Sequence, residues 1–528
     1  MLRPRVALRA LLIVLFAMGL FARVAPLLEG GDAAVPEGRL LSQWPTEDGY
    51  FMLTMGRNVG LGHGLSVAGG EMPTNGTQPL TTFVWALAYA LVGGDRLLGV
   101  LIAQLLQLLA AAGTAFLLFR LGERALAGRP KAAETGAVAA GLWFASPVVM
   151  PHTMNCLETG FYALVATGVA YAFLARPGQL WSWRRTLGFG ALLGLCFWVR
   201  NDTAFLIAAI CLTYLLPALS ERSELKPRLA RVLTFGATSV AVASPWLIFN
   251  VLEFGHLMPV SGRAEALTGD FGGNLGGVPI VLAEYLMTVV PIPHALSDRP
   301  WMIAIATLVV LGAVGLLFRK RRDLTPPART LVIAIGLYLG GMVAFYGFYF
   351  GAAWFLPRYF LPASPFLALL LATGVVWAAG WVHERGAGKH LVPVGAALAV
   401  VLMGGLHVRQ WSQGADHMHF QVVRWVHENV PEETWVGAIQ TGTVGFFHDR
   451  TINLDGKVNI AAYEALLAGE EGEYVVEETP IEYLADWTGM RDWLTKPIVA
   501  EHFELLVHDE EANLAVLKRR GPPPQRGL

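Results

Sequence analysis

Apolar residues along this chain come in long unbroken runs, separated by short charged or glycine-rich stretches. Runs of roughly 17–25 residues have the length at which a helix crosses a bilayer. Taken in order they predict about eleven spans, at approximately 6–28, 96–119, 133–151, 156–175, 186–200, 202–219, 232–250, 301–318, 330–350, 360–383 and 390–408. An outer-membrane barrel would show short alternating segments, and these runs are continuous. The first run follows Met1-Leu-Arg-Pro-Arg5. It is long and lacks a small-residue cleavage site, so it reads as an uncleaved span rather than a signal peptide.

The polar stretches between the runs differ in kind. Lys and Arg gather in alternate loops: Arg3 and Arg5; Arg120, Arg124, Arg129 and Lys131; Arg176, Arg184 and Arg185; Arg222 to Arg231; Arg319 to Arg322; Arg385 and Lys389. The positive-inside rule places these loops and the N-terminus in the cytoplasm. Two long loops then face outward. In the first, 29–95, Tyr50 to Leu61 and Pro79 to Val92 are expected as helices along the membrane surface. The second, 251–300, carries Gly272-Gly273, Gly276-Gly277 and several prolines, and reads as a mobile loop with a short apolar helix at 278–290.

After residue 411 the apolar runs stop. A helical pattern ends at Pro431, and 434–440, 451–455, 503–508 and 514–517 read as short strands. The expected organisation is a membrane domain over 1–411, a soluble extracytoplasmic α/β domain over 412–518, and a disordered tail over 519–528. The fold class is an all-α polytopic membrane protein with a small C-terminal α/β domain. No internal repeat is visible, which weighs against common secondary-transporter folds.

Composition agrees: 54% of the 528 residues are hydrophobic and 15% charged, where soluble domains carry about 25% charged residues. A net charge of -1 offers no case for nucleic-acid binding. The three cysteines, Cys156, Cys196 and Cys211, lie in or beside apolar runs without metal-ligand spacing, which argues against a disulfide framework or a zinc site.

Charge beside a bilayer is costly, so each charged residue at a span end is a functional candidate. Glu47, Asp48 and Arg57 follow the first span, and Glu158 opens the fourth. Arg200 and Asp202 join the fifth and sixth, and Arg358 opens the tenth. In the threading all of them lie at the outer face. Carboxylates there can take a proton from an attacking hydroxyl or hold a divalent cation, Mg or Mn, with Asp48 and Glu158 as its ligands. Arginines grip phosphate oxygens. Plainer roles compete: helix capping for Glu47 or Asp48, a structural ion pair for Arg200 with Asp202, a helix-start position for Glu158, snorkelling for Arg358. The loop histidines His63 and His256 are substrate-binding candidates for which a structural role is the plainer reading. Packing is the plainer role for Cys156.

These same segments resemble the GT-C superfamily of membrane glycosyltransferases, which use polyprenyl-phosphate sugar donors. Glu47-Asp48-Gly-Tyr-Phe with Arg57-Asn58 is similar to the acidic first loop of that class, and Gly76-Thr-Gln-Pro-Leu80 to a later sequence in the same loop. Cys156-Leu-Glu-Thr-Gly160 and Arg200-Asn-Asp202 resemble segments of its arabinofuranosyltransferase-like members, with Asn201 where Pro or Thr is usual. Arg358-Tyr359 is similar to the Arg-Tyr that opens a late span, and Gly437 to Gly456 resembles part of the extracytoplasmic domain.

The resemblance implies a bacterial inner-membrane enzyme that transfers a sugar from a polyprenyl phosphate to a glycan, lipid or protein acceptor in the cell envelope. Asp48 maps to the general base, with Glu47 and Glu158 assisting. Arg358, Arg200 and Tyr359 are the donor-phosphate candidates; Arg57, Asp202, His63 and His256 are further substrate-binding candidates. Metal dependence varies across the superfamily, so the resemblance leaves the divalent cation open and implies no other cofactor. The rival readings are a lipid-linked oligosaccharide polymerase or ligase, expected to rely on an arginine-rich outer loop, and a transporter or flippase, expected to carry its charges at mid-membrane.

Overall fold

The computed structural model describes residues 4–524 apart from 177, 386, 387 and 415–418. Arg3 and the last four residues of the expected tail lie outside the described residues. Among those described, eight helices are long and apolar enough to cross a membrane: Val6–Leu28, Arg96–Ala125, Thr203–Ser220, Arg222–Phe254, Pro300–Arg319, Pro326–Phe348, Ala353–Glu384 and Leu391–Gln413. The chain is a multi-pass membrane protein.

The other three expected spans form shorter helices, Ala132–Ala145, Thr159–Phe173 and Trp183–Val199, of 14, 15 and 17 residues. At 1.5 Å per residue they reach roughly 21–26 Å, less than the ~30 Å hydrocarbon thickness. The runs of the first two are longer than their helices because flanking apolar residues are not helical. Ser146-Pro147 ends the first, since the residue before a proline disfavours helical geometry, and the Ser146 hydroxyl accepts from the N–H groups of Val148 and Val149. Irregular backbone at such depth is tolerated where protein surrounds it. Trp143 and Tyr162 on these helices are fully buried.

Glycines let the helices approach. A Cβ on Gly122 would stand 2.6 Å from the Cα of Gly136. Gly190 and Gly194 bring their helix onto Phe235 and Ser239 of Leu225–Phe254. Close backbone contact through small residues is the usual substitute for hydrophobic drive inside a bilayer. Arg23, inside the first span, is fully buried and donates to the carbonyls of Gly19 and Phe144.

The first long loop carries both expected helices. Its helix Glu47–Gly60 is enclosed between Pro79–Leu91 and the Thr441–Phe447 helix of the C-terminal segment, and Tyr50 and Met55 are fully buried. Its N-cap is Thr46, whose hydroxyl accepts from the Gly49 N–H at 3.2 Å. Glu47 and Asp48 occupy the first turn, where the helix dipole favours acid. A small hairpin, β1 (Ser66–Val67) with β2 (Met72–Pro73), follows.

The C-terminal segment forms a five-stranded sheet of β3 (Val436–Ala438), β4 (Thr451–Asn453), β5 (Tyr483–Asp486), β6 (Phe503–Asp509) and β7 (Leu514–Arg519), in the order β4-β3-β5-β7-β6. β3 runs parallel to both its neighbours, and β7 is antiparallel to β5 and β6. Four of these strands match the alternating segments of the sequence. β5 is not among the expected strands. Arg519, at the start of the expected disordered tail, instead ends β7 and donates to the carbonyls of Ile481, Val475 and Val476.

Side chains of the first loop anchor this domain. The Glu47 carboxylate accepts from the N–H groups of Gly442 and Thr443 and from the Thr443 hydroxyl. Arg57 and Arg96 both reach Asp449, at 3.2 and 3.1 Å, and Arg450 pairs with Glu71.

A tight point of this docking is Gly442, where a Cβ would stand 2.0 Å from the Glu47 carbonyl oxygen. Gly442→Ala is expected to cost about 1–3 kcal/mol, as overpacking usually does, read as a lower thermal midpoint in detergent. Burial raises the Glu47 carboxyl from 4.5 to about 7, while its hydrogen bonds to Thr443 and Gly442 pull it down without offsetting burial. A folded value above the unfolded one means this stability is fully present below 4.5 and is lost as pH rises through about 7. The thermal midpoint of the wild type relative to Glu47→Gln should therefore fall between about pH 5 and about pH 8; a constant difference would refute this.

Candidate functional site

Where the first loop, the bundle and the sheet domain meet lies a cavity of about 330 Å³. Asp48, Glu158, Arg200, Asp202, Arg358 and Tyr359 all line it. These are six of the residues singled out from the sequence, and they come from four separate segments.

Each is held by local structure. Asp48 sits in the capped first turn of its helix, which points it away from Glu47. Glu158 ends an irregular turn in which Cys156 takes a left-handed conformation, φ 62°, unusual outside glycine. Gln107 fixes this turn by accepting the Cys156 N–H at 3.0 Å, and Asn155 by accepting the Leu157 N–H at 3.0 Å. Arg200 and Asp202 form the break between Trp183–Val199 and Thr203–Leu215. Arg358 lies in a five-residue helix, Leu356–Phe360, set off from the long helix Ser364–Glu384 by Leu361-Pro362-Ala363.

The charges fall into two groups. Arg358 donates to Asp48 in a direct ion pair. Arg200 is chelated: Nη1 reaches Glu158 at 3.0 Å, Nε reaches Asp202 at 3.0 Å, and Nη2 meets the Tyr346 hydroxyl at 3.1 Å. That hydroxyl also donates to Asp202 at 2.7 Å. The Tyr346 and Tyr359 rings stack 4.3 Å apart beside the network. The carboxyl of Asp48 is pushed up by burial, but the charges of Arg358 and Lys457 outweigh this and hold it below the usual carboxylate range. Asp48 is thus ionised and able to accept a proton. Asp202 Oδ1 and Arg358 Nε are buried and have no hydrogen-bond partner among the described residues. Buried polar atoms are rarely left so, and these stand at the wall of a cavity that a polar ligand would fill.

Asp48 and Glu158, the possible cation ligands, are each paired with an arginine, Arg358 and Arg200 respectively. Among the described residues no three His, Cys, Asp or Glu side chains are grouped to hold a metal ion.

The remaining expected residues lie elsewhere. Glu47 is turned into the domain interface, and Arg57 is engaged by Asp449 and the Gly94 carbonyl. His63, in the turn after the Glu47–Gly60 helix, and His256, just past the C-cap Gly255, are both exposed and do not line the cavity. The cavity also holds residues not singled out from the sequence: Tyr346, Glu265 and Lys457. A tyrosine inside a greasy span needs a partner for its hydroxyl, and that signal is present in the sequence at Tyr346. Glu265 and Lys457 offer no local signal, since each is one charge among several in a polar stretch.

A family described as a domain of unknown function, DUF8728, matches residues 407–517. No curated protein matches the sequence. Among solved structures, the chain is similar to ArnT from Cupriavidus metallidurans bound to undecaprenyl phosphate, with 14% identity, a TM-score of 0.58, and coverage of 97% of this chain and 99% of that one. It is also similar to the oligosaccharyltransferase AglB from Archaeoglobus fulgidus in complex with an inhibitory peptide and a dolichol-phosphate, with 12% identity, a TM-score of 0.54, and coverage of 98% and 75%. At these identities the likeness is one of fold: the chain shares the architecture of these two structures over nearly its whole length.

Proposed function

We propose that the protein is a membrane glycosyltransferase that moves a sugar from a polyprenyl-phosphate donor to a glycan, lipid or protein acceptor. The observation that carries this reading is the Asp48–Arg358 pair in a cavity whose lining includes apolar residues, among them Met55, Leu157 and Phe350. Structures of the same fold hold undecaprenyl phosphate or a dolichol-phosphate, which supports a donor of that class.

The residues divide the work as follows. The Asp48 carboxylate takes the proton of the acceptor hydroxyl as its oxygen attacks the anomeric carbon. The bond from that carbon to the phosphate oxygen breaks, and Arg358 stabilises the charge that develops on the leaving phosphate. Before the donor arrives, Arg358 holds Asp48 ionised and weakly basic. An incoming phosphate draws on the same guanidinium, so the basicity of Asp48 rises only when the donor is loaded. Arg200, fully engaged by Glu158, Asp202 and Tyr346, organises the cavity wall rather than gripping phosphate.

Asp449 of the sheet domain pairs with Arg96 at the start of Arg96–Ala125, and the basic stretch Arg120 to Lys131 lies at the other end of that helix. This supports an extracytoplasmic site and C-terminal domain and a cytoplasmic N-terminus; the membrane of the proposed enzyme is a bacterial inner membrane.

Asp48→Asn, which keeps shape and a hydrogen-bond acceptor, should lower transfer by about 10²–10⁴-fold with normal expression. Mass spectrometry of lipid-linked sugars and envelope glycans in a deletion strain complemented with each variant reads this, and wild-type product levels would sink the assignment. Arg200→Ala should act on the fold instead. It strands two buried carboxylates, a loss of about 3–5 kcal/mol, and should show as reduced folded yield in size-exclusion chromatography.

A further inference from the structure

The third cation of the cavity belongs to the C-terminal domain. Lys457 follows β4 in the turn Asp455-Gly-Lys457, closed by the Lys457 N–H donating to Asp455 Oδ1 at 2.9 Å, with Gly456 at φ 77°. Its ammonium reaches Glu265 at 2.8 Å and Asp455 at 3.6 Å. It also lies 5.6 Å from the centre of the Phe355 ring, whose other cation is Arg358, 4.2 Å from the same centre. The two positive groups, both lining the cavity, therefore share one aromatic ring.

The approach of this turn is built from both outer loops. A Cβ on Gly76 would stand 2.3 Å from the Lys457 carbonyl oxygen, so the first loop leaves room for the turn by having no side chain there. The neighbouring Asn75 accepts from the Val260 N–H at 3.0 Å and donates to Asn250 at 3.2 Å. That ties the same spot to Val260–Ala266, the short helix that carries Glu265. Val260 and Ala264 of that helix pack on Tyr463 of the sheet domain.

A phosphate entering the cavity meets three cations in different states. Arg200 is engaged by two carboxylates and a phenol. Arg358 keeps a buried Nε without a partner among the described residues. Lys457 is held by Glu265, a carboxylate on a seven-residue helix in a loop, which an anion of higher charge density can displace.

Resting on the glycosyltransferase reading, we propose that Lys457 is a donor-binding residue: with Arg358 it clamps the lipid-linked phosphate, and Glu265 holds it in readiness until the donor arrives. The C-terminal domain is then part of the active site, which is incomplete without it. This gives residues 407–517, matched by a family of unknown function, a specific task.

Binding of undecaprenyl phosphate to the full-length protein in detergent, by native mass spectrometry or tryptophan quenching, tests this. Lys457→Ala should weaken binding about tenfold or more and raise the donor KM, with Lys457→Arg restoring most of it. Lys457→Met, which keeps the apolar stem, serves where the alanine variant expresses poorly. Gly76→Val should reproduce the loss with the lysine intact, by pushing its turn out. Glu265→Gln should tighten binding, since it removes the competing carboxylate. A purely structural Lys457–Glu265 bridge would instead make both partners' variants weaken alike, and that outcome overturns the proposal. So does undiminished binding in Lys457→Ala, or a rise confined to the acceptor KM. A wild type that binds no undecaprenyl phosphate brings down the glycosyltransferase reading itself. Wild-type binding with an unaffected Lys457→Ala removes this inference alone.

Discussion

An ionised carboxylate away from bulk water is stable only beside a cation, and the whole cavity is organised by that constraint. Asp48 has Arg358, Glu158 and Asp202 share Arg200, and Glu265 has Lys457. Each pair joins segments far apart in the chain, apart from the Arg200–Asp202 turn, so satisfying the charges also assembles the first loop, the bundle and the sheet domain around one space. The arrangement also leaves the groups unequal. Arg200 is locked by its partners, whereas on the proposed reading a phosphate replaces the carboxylates that hold Arg358 and Lys457. On that reading structure and chemistry rest on the same set of ion pairs.

Backbone irregularity delivers those charges. The short helices Ala132–Ala145, Thr159–Phe173 and Trp183–Val199 stop before crossing a full bilayer, and the last two place Glu158 and Arg200 at their ends. The strained Cys156 turn and the prolines around Arg358 do the same from other directions. Such breaks are tolerated only because protein surrounds them and supplies hydrogen bonds, as Gln107 and Asn155 do here.

The two neighbouring acids of the first loop show how one residue step separates roles. Glu47 and Asp48 differ by about 100° around the same helix. One faces the N–H groups of Gly442 and Thr443 and anchors the domain; the other faces Arg358. The same domain that Glu47 anchors carries Lys457, so docking and site assembly are one event.

Much of this is legible in the residue order. Helix-length apolar runs are a local property, and they mark the membrane class and the eight long spans. The cost of charge near a bilayer is also local, which is why Asp48, Glu158, Arg200, Asp202 and Arg358 stand out from residue type and position alone. The sequence by itself therefore determined that costly charges sit at span ends beside a small sheet domain. It did not determine which cation each acid meets. That Glu47 leaves the cavity, that Arg57 is engaged by Asp449, and that Lys457 enters were decided by tertiary structure. Partner choice depends on the packing of segments distant in the chain, and no local pattern of hydrophobicity or charge encodes that distance.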